Sequence, residues 1–199
     1  MFCQKLPTIN ILKQPTSSAW VELALSNLDV ILLDHSHCER KAAGAAINLM
    51  FRYPSCTQLV RQLTAIAKEE LEHFELVNQI LEQRGIPLAP LNAPPYGATL
   101  KGMIRHHEPL RFLDSLLVSA LIEARSHERL GLLATRCPEP DLARFYGGLM
   151  ASEARHYGIY WVLASTYFDR EQVNCRLDEL SVQESEVLAT LYPEPRIHS

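Results

Sequence analysis

No run of about 18 apolar residues occurs in this 199-residue chain, so a membrane-spanning helix is not expected. No C-x-x-C pair occurs either. The five cysteines (Cys3, Cys38, Cys56, Cys137 and Cys175) are scattered and odd in number. That pattern argues against a disulfide framework or a thiolate zinc site and fits reduced thiols in a cytoplasm. Charge of one sign is lacking: the formal net charge is -4, which disfavours a strong non-specific nucleic-acid binder but leaves room for a local basic patch. A glycine-rich flavin or nicotinamide fingerprint is missing. The opening MFCQKLPTINILKQP has no charged stretch followed by an apolar core, so no signal peptide is read there. Strand-like alternation is also absent, and helical periodicity dominates.

What is present suits one globular domain over residues 1–199, with 47% hydrophobic and 21% charged residues. The expected class is all-α. Helix one runs from Ser17, a residue type favoured at N-caps, to Tyr53, before Pro54. Helix two runs from about Cys56 to Arg84 and closes on Gly85. Helix three starts at Glu108-Pro109 and ends near Pro138; helix four covers about Asp141 to Phe168. The bundle core is therefore about 17–168, followed by a helical tail over about 169–192 with a break near Ser181 and frayed final residues around Pro193 and Pro195.

Residues 86–107 stand apart, with Pro87, Pro90, Pro94 and Pro95 and room for a short helix over Thr99–Arg105. If helices two and three run in the same direction, this segment must return along the bundle, roughly 40 Å at 1.5 Å per helical residue. An extended chain of that length covers it at about 3.3 Å per residue. A long central connection is the ferritin-like topology, whereas an up-down-up-down bundle uses short loops.

Acidic and imidazole residues interrupt the apolar seams of these helices. Helix two reads Leu59, Leu63, Ile66, Glu70, His73, Val77, Ile80, and helix four reads Leu142, Tyr146, Leu149, Glu153, His156, Tyr160, Leu163. Helix one gives Leu28, Leu32, His35, Glu39, Ala42, Ala46, and helix three gives Leu113, Leu116, Ala120, Glu123, His127, Leu130. Glu and His thus stand at seam positions where core residues belong. Glu39, Glu70 with His73, Glu123, and Glu153 with His156 form the order Glu, Glu-x-x-His, Glu, Glu-x-x-His that bundles use to hold two metal ions. Four clustered carboxylates would otherwise repel and take up protons, and two divalent cations balance them. Carboxylates with one imidazole per ion suit iron or manganese. His35 and His127, each one turn from a carboxylate, are hydrogen-bond partners, packing residues or extra ligands. Tyr160 reads as a core aromatic and Cys38 as a buried filler. The run Ala42 to Ala46 either opens a pocket or permits tight helix packing.

The stretches WVELALSNLDVILLDHSHCERKAA (20–43), EELEHFELV (69–77), HHEPLRFLDSLLVSALIEARSHERL (106–130) and ASEARHYGIYWVLA (151–164) resemble the bacterial tRNA 2-methylthio-isopentenyl-adenosine hydroxylases of the MiaE type. The resemblance implies a non-haem di-iron monooxygenase that hydroxylates the isopentenyl side chain of a modified tRNA adenosine. It implies two iron ions on the six residues above, dioxygen, and two electrons from an external ferredoxin or reductase. Under that reading Lys101, Arg105, His106, His107 and Arg111 are candidates for contacting tRNA phosphates. The alternatives are a ferritin-like ferroxidase, a rubrerythrin-like peroxidase and a manganese catalase-like enzyme.

Overall fold

The computed structural model describes residues 11–199, and seven α-helices account for most of them. The signal-peptide reading, which rests mainly on residues 1–10, and Cys3 lie outside the described residues. The helices are α1 (Ser18–Leu25), α2 (Leu28–Arg52), α3 (Thr57–Gln83), α4 (Pro95–Gly102), α5 (Leu110–Arg136), α6 (Pro140–Tyr167) and α7 (Arg170–Leu188). No strand is present among the described residues.

The expected first helix is two helices. Ser17 caps α1 as expected, its hydroxyl accepting the Trp20 N–H at 3.2 Å. The break at Ser26–Asn27 follows from Asn27, whose side-chain amide donates to the Leu23 carbonyl at 2.8 Å and competes with the backbone ladder. α3 ends as the sequence predicts: Gly85 adopts a positive φ of 69°, which a glycine reaches without steric cost. The expected break at Ser181 is absent. α7 runs through it, the Ser181 hydroxyl returning to the Leu177 carbonyl at 2.6 Å within the helix.

Short links join α2 to α3 and α5 to α6, and each pair packs along its length. Contacts at the ends fix the direction of the rest. Arg84, closing α3, pairs with Asp29 at the start of α2 and with Glu139 at the start of α6. At the other end Tyr53, closing α2, donates to Glu108 at 2.9 Å and packs its ring, tilted by 30°, on Phe112 of α5 with centroids 4.1 Å apart. α3 and α5 therefore run in the same direction, and residues 84–109 climb the bundle between them, touching His37 through the Ala89 carbonyl on the way. This is the expected crossover, with its short helix at Pro95–Gly102 rather than at Thr99–Arg105 because Pro95 supplies a first-turn proline.

Two apolar clusters lie above and below the middle of the bundle. One centres on Leu59, Leu63, Leu113, Leu116 and Leu163; the other on Trp20, Leu32, Val77, Leu133 and Tyr146. α7 packs against α5 and closes the first cluster with Val173, Leu177 and Leu180. The final residues are not frayed. Arg196, Ile197, His198 and Ser199 are all buried; Trp20 and Arg129 donate to the carbonyls of Arg196, Ile197 and Ser199, and the Ile197 N–H donates to Asp34. Among the described residues no helix is long and apolar enough to cross a membrane.

Candidate metal centre

Between the two apolar clusters, α2, α3, α5 and α6 each turn a carboxylate inward. Glu39, Glu70, Glu123 and Glu153, with His73 and His156, are all buried. They fall into two overlapping groups. Glu39, Glu70, His73 and Glu153 offer ligand atoms within 4.8 Å of one another, and so do Glu70, Glu123, Glu153 and His156. Glu70 and Glu153 belong to both groups. The i, i+3 spacing on α3 and α6 brings each of these shared carboxylates to the same face as its histidine.

The donors fit a pair of metal ions on geometric grounds. Both imidazoles turn Nδ1 to the cluster and use Nε2 outside it. His156 Nε2 meets Glu69 Oε2 at 2.9 Å, and His73 Nε2 meets the Ser152 hydroxyl at 3.3 Å. An outer partner of this kind fixes the tautomer and leaves the inner nitrogen a free lone pair. Nδ1 of His73, Nδ1 of His156 and Oε1 of Glu70 are buried with no hydrogen-bond partner. His156 Nδ1 and Glu70 Oε1 lie only 2.8 Å apart yet are misaligned for a hydrogen bond, as two ligands of one centre would be.

Without metal the site is electrostatically strained. Burial, reinforced by the Glu70 charge, pushes the Glu123 carboxyl up to about 8. Burial and three neighbouring carboxylates push Glu153 well above the ordinary range, and burial raises Glu70 against the opposing His156 and His73. Glu39 goes the other way: burial is outweighed by His35, whose Nε2 lies 2.5 Å from Oε1, and by His73, so the carboxyl is held low. Burial disfavours a charged His73, but Glu39 and Glu70 overcome it and raise the imidazole to about 10. Metal binding displaces these protons, so affinity rises with pH.

The two imidazoles are not equivalent. His73 faces a neutral hydroxyl, whereas His156 faces the Glu69 carboxylate, itself held by Arg155 at 2.8 Å and partly open to solvent. A carboxylate raises the basicity of the ligand it holds. Glu69→Gln is expected to weaken one of two metal-binding steps by about 10- to 100-fold and leave the other nearly unchanged. A two-phase titration with a divalent metal ion, read by elemental analysis, checks this; equal weakening of both steps contradicts it.

His35 sits beside Glu39, its Nε2 2.5 Å from the carboxylate. His127 instead bonds the Met150 carbonyl through Nδ1 at 2.9 Å and takes no part in either ligand group. Tyr160 is buried and lines the cavity next to the carboxylates. Cys38 is partly buried with its thiol toward Asp34, and Cys38, Cys56, Cys137 and Cys175 are all free.

α2 and α5 stay apart where the other helices pair, and a cavity of about 760 Å³ lies between them. It reaches Glu39, Glu70, Glu123 and Glu153. Ala42, Gly44 and Ala45 line it, while Ala43 and Ala46 pack into the core, so the small-residue run serves both purposes. Its rim carries cations on two sides, Lys41 and Arg52 from α2 and Lys101 and Arg111 from the crossover and α5, with His106 beside them. Two members of the expected basic cluster stand elsewhere. Arg105 is clamped on Asp114 at 2.6 and 2.8 Å, and neither it nor His107 lines the cavity. The sequence did not single out Glu69, or His198, which sits in a segment expected to fray.

A four-helix bundle with a long crossover, a buried Glu/His cluster able to hold metal and a cavity leading to it define a ferritin-like metalloprotein. More narrowly, the chain belongs to the tRNA-(MS[2]IO[6]A)-hydroxylase (MiaE) family, whose model matches residues 4–199. It is 40% identical to the tRNA 2-(methylsulfanyl)-N(6)-isopentenyladenosine(37) hydroxylase of Pseudomonas putida, over 93% of this chain and 90% of that one. The protein of the same name from Salmonella typhimurium is 31% identical over 97% of this chain and 89% of its own. A solved structure described as a protein with aldehyde deformylating oxygenase activity, from Synechococcus, is 49% identical, covers 96% of both chains and superposes with a TM-score of 0.94.

Proposed function

We propose that this chain is an oxygen-dependent hydroxylase of the isopentenyl side chain on a 2-methylthio-adenosine of tRNA. The observation that carries the reading is the cavity joining a cationic rim to the buried carboxylates. Glu39 and His73 would hold one iron ion, Glu123 and His156 the other, with Glu70 and Glu153 shared between them. Bound there, two irons would supply the electrons and oxidising power that hydroxylation of a C–H bond by dioxygen requires. Iron is preferred to manganese on the family's chemistry. The whole of 1–199 acts as one domain in this reading, in the cytoplasm where tRNA is met. An external ferredoxin or reductase provides two electrons per turnover.

The chain's own residues do the rest. The apolar walls, including Leu49, Ile104, Val118 and Ile122, seat an alkyl arm and exclude water from the carboxylates. Lys41, Arg52, Lys101 and Arg111 on the rim hold the phosphates of an RNA loop. Changing Lys101 and Arg111 together to Ala is expected to lower the slope of log affinity against log salt by about 1.4, since each phosphate contact to a single strand contributes roughly 0.7. A slope equal to wild type removes both from the RNA interface.

The decisive test is incubation of the reduced, iron-loaded protein with dioxygen and tRNA carrying the isopentenyl group, followed by mass spectrometry of the nucleosides. A gain of one oxygen is expected. The Synechococcus likeness supports a second reading, an oxygenase acting on an aliphatic aldehyde in the same apolar cavity. A long-chain aldehyde belongs in a parallel assay. Turnover of the aldehyde with no oxygen added to tRNA would transfer the assignment to it. The cations on both sides of the cavity favour the polyanion.

A further inference from the structure

Phe51 is 81% exposed, the most open of the large apolar side chains among the described residues, and Ile47, one turn earlier on α2, is 38% exposed. Single exposed apolar residues are ordinary on a protein surface. Phe51 is set apart by its neighbours. Arg52, the next residue, and Asn48, three before it, both line the cavity. So does Gly44, seven residues back, and residues seven apart on a helix share a face to within about 20°. The ring therefore stands at the outer lip of the opening between α2 and α5, beyond the walls and beside a cation.

Size and charge decide what covers it. A phenylalanine ring offers about 200 Å² of apolar surface, whereas a stable dimer buries roughly 800 Å² on each partner. The same lip carries Lys41, Arg52, Lys101 and Arg111, and a two-fold contact through it would set these cations against their own copies. A single-stranded RNA loop suits both features at once. Its phosphates pair with the cations, and a base pulled out of its stack needs an apolar face to lie on.

Distance identifies which base. From Glu39 to Phe51 is twelve residues of α2, about 18 Å along the axis. A base whose alkyl arm reaches the carboxylates does not extend that far, so its ring stays inside the cavity and a neighbouring nucleotide lies over the lip. Resting on the hydroxylase reading, we infer that Phe51 stacks on the base of a nucleotide adjoining the modified adenosine, with Ile47 widening the apolar shelf and Arg52 on the phosphate between the two. The platform reads no sequence, because every base has a π face. Its work is to hold the loop splayed while one base enters the cavity.

The test uses the iron-loaded full chain and an RNA hairpin whose loop carries the isopentenyl adenine, with oxygen excluded while binding is measured. Phe51→Ala is expected to weaken binding about tenfold, with metal content, melting temperature and the slope of affinity against salt unchanged, because no phosphate contact is lost. Two further hairpins each lack the base on one side of the modified adenosine. One of them should cost wild type a similar factor and cost Phe51→Ala nothing further. Phe51→Trp gives an optical reading, since Trp20 and Trp161 are both buried. Its added emission should be quenched by the intact hairpin and not by the hairpin lacking the stacked base. Wild-type affinity in Phe51→Ala, equal base-removal penalties in both proteins, or an unquenched Phe51→Trp overturns the assignment. A wild-type dimer that Phe51→Ala splits, with hairpin affinity unchanged, overturns it in favour of a second copy. If Phe51→Ala melts early, the quenching of Phe51→Trp decides. Wild type that neither binds nor oxidises the hairpin rejects the hydroxylase reading, whereas wild type that oxidises it while Phe51→Ala binds it equally rejects the stacking contact alone.

Discussion

Glu153→Ala is expected to abolish metal binding and hydroxylation together while leaving the metal-free protein at least as stable as wild type. Glu153 belongs to both candidate ligand groups, so on the proposed assignment its loss would remove a donor from each. Activity should fall by about a thousandfold or more. Glu70→Ala, which removes the other shared carboxylate, should do the same, and the double variant should be little worse, because ligands that act as a unit are not additive. Stability moves in the opposite direction. Burial and the surrounding carboxylates raise the Glu153 carboxyl far above its ordinary range, so the folded metal-free state bears a cost that alanine removes.

The pH dependence has a definite sign. Glu123 titrates at about 8 in the folded metal-free chain, against an ordinary 4.5. Below 4.5 both folded and unfolded chains hold the proton and the group costs nothing. Between 4.5 and 8 the unfolded chain releases it first, so metal-free stability falls as pH rises, and the penalty is complete above 8. Burial and neighbouring carboxylates also raise Glu153, which adds to the fall in the same direction. Denaturant melts of metal-free wild type and Glu153→Ala across this range should show a steep decline in the first and a shallower one in the second. After reloading with metal, the wild-type chain is expected to hold two ions and the variant close to none. A variant that keeps both ions would refute the shared-ligand assignment.

The second large effect concerns folding. Arg125 and Glu184 are both fully buried and joined by two hydrogen bonds of 2.9 Å, with Tyr96 donating to the same carboxylate at 3.0 Å. This pair ties α5 to α7 and to the crossover helix. Arg125→Ala leaves the Glu184 carboxylate without its counter-charge and should cost about 3–5 kcal/mol. In a chain of this size that is roughly a 10 °C fall in melting temperature. Replacing both partners, Arg125→Met with Glu184→Leu, should recover part of the loss, since the stranded Glu184 charge is gone while Glu128 and the Tyr96 hydroxyl each lose a partner. Thermal melts of the three proteins decide it, and a double variant no better than the single one contradicts the account.

The buried Glu/His cluster was legible in the sequence because a bundle seam has a strict period. A Glu or His standing where Leu belongs at that period points inward, and all six candidates are buried together. The crossover was legible from its prolines and its length. The break at Asn27 was not, because it depends on whether a side-chain amide turns back to its own helix. The Arg125–Glu184 pair escaped notice since Arg125 lies off the seam and its partner comes from a tail helix 59 positions away. Arg105 was read as free charge because nothing local announces Asp114 as its partner, and the clamp exists only once α5 has folded. The burial of Arg196–Ser199 rests wholly on contacts made across the chain, with Trp20, Asp34 and Arg129.

Ligands and enclosure come from different parts of this molecule. The four long helices carry the carboxylates and imidazoles, while the segment from Ala93 to His106 and the pair Ile197–His198 roof the chamber beside them. A mutation in the roof is expected to change which molecules are admitted and to leave the buried Glu/His cluster intact. Substrate preference in such a scaffold can drift over short evolutionary distances, and relatives of nearly identical backbone can come to serve unlike clients.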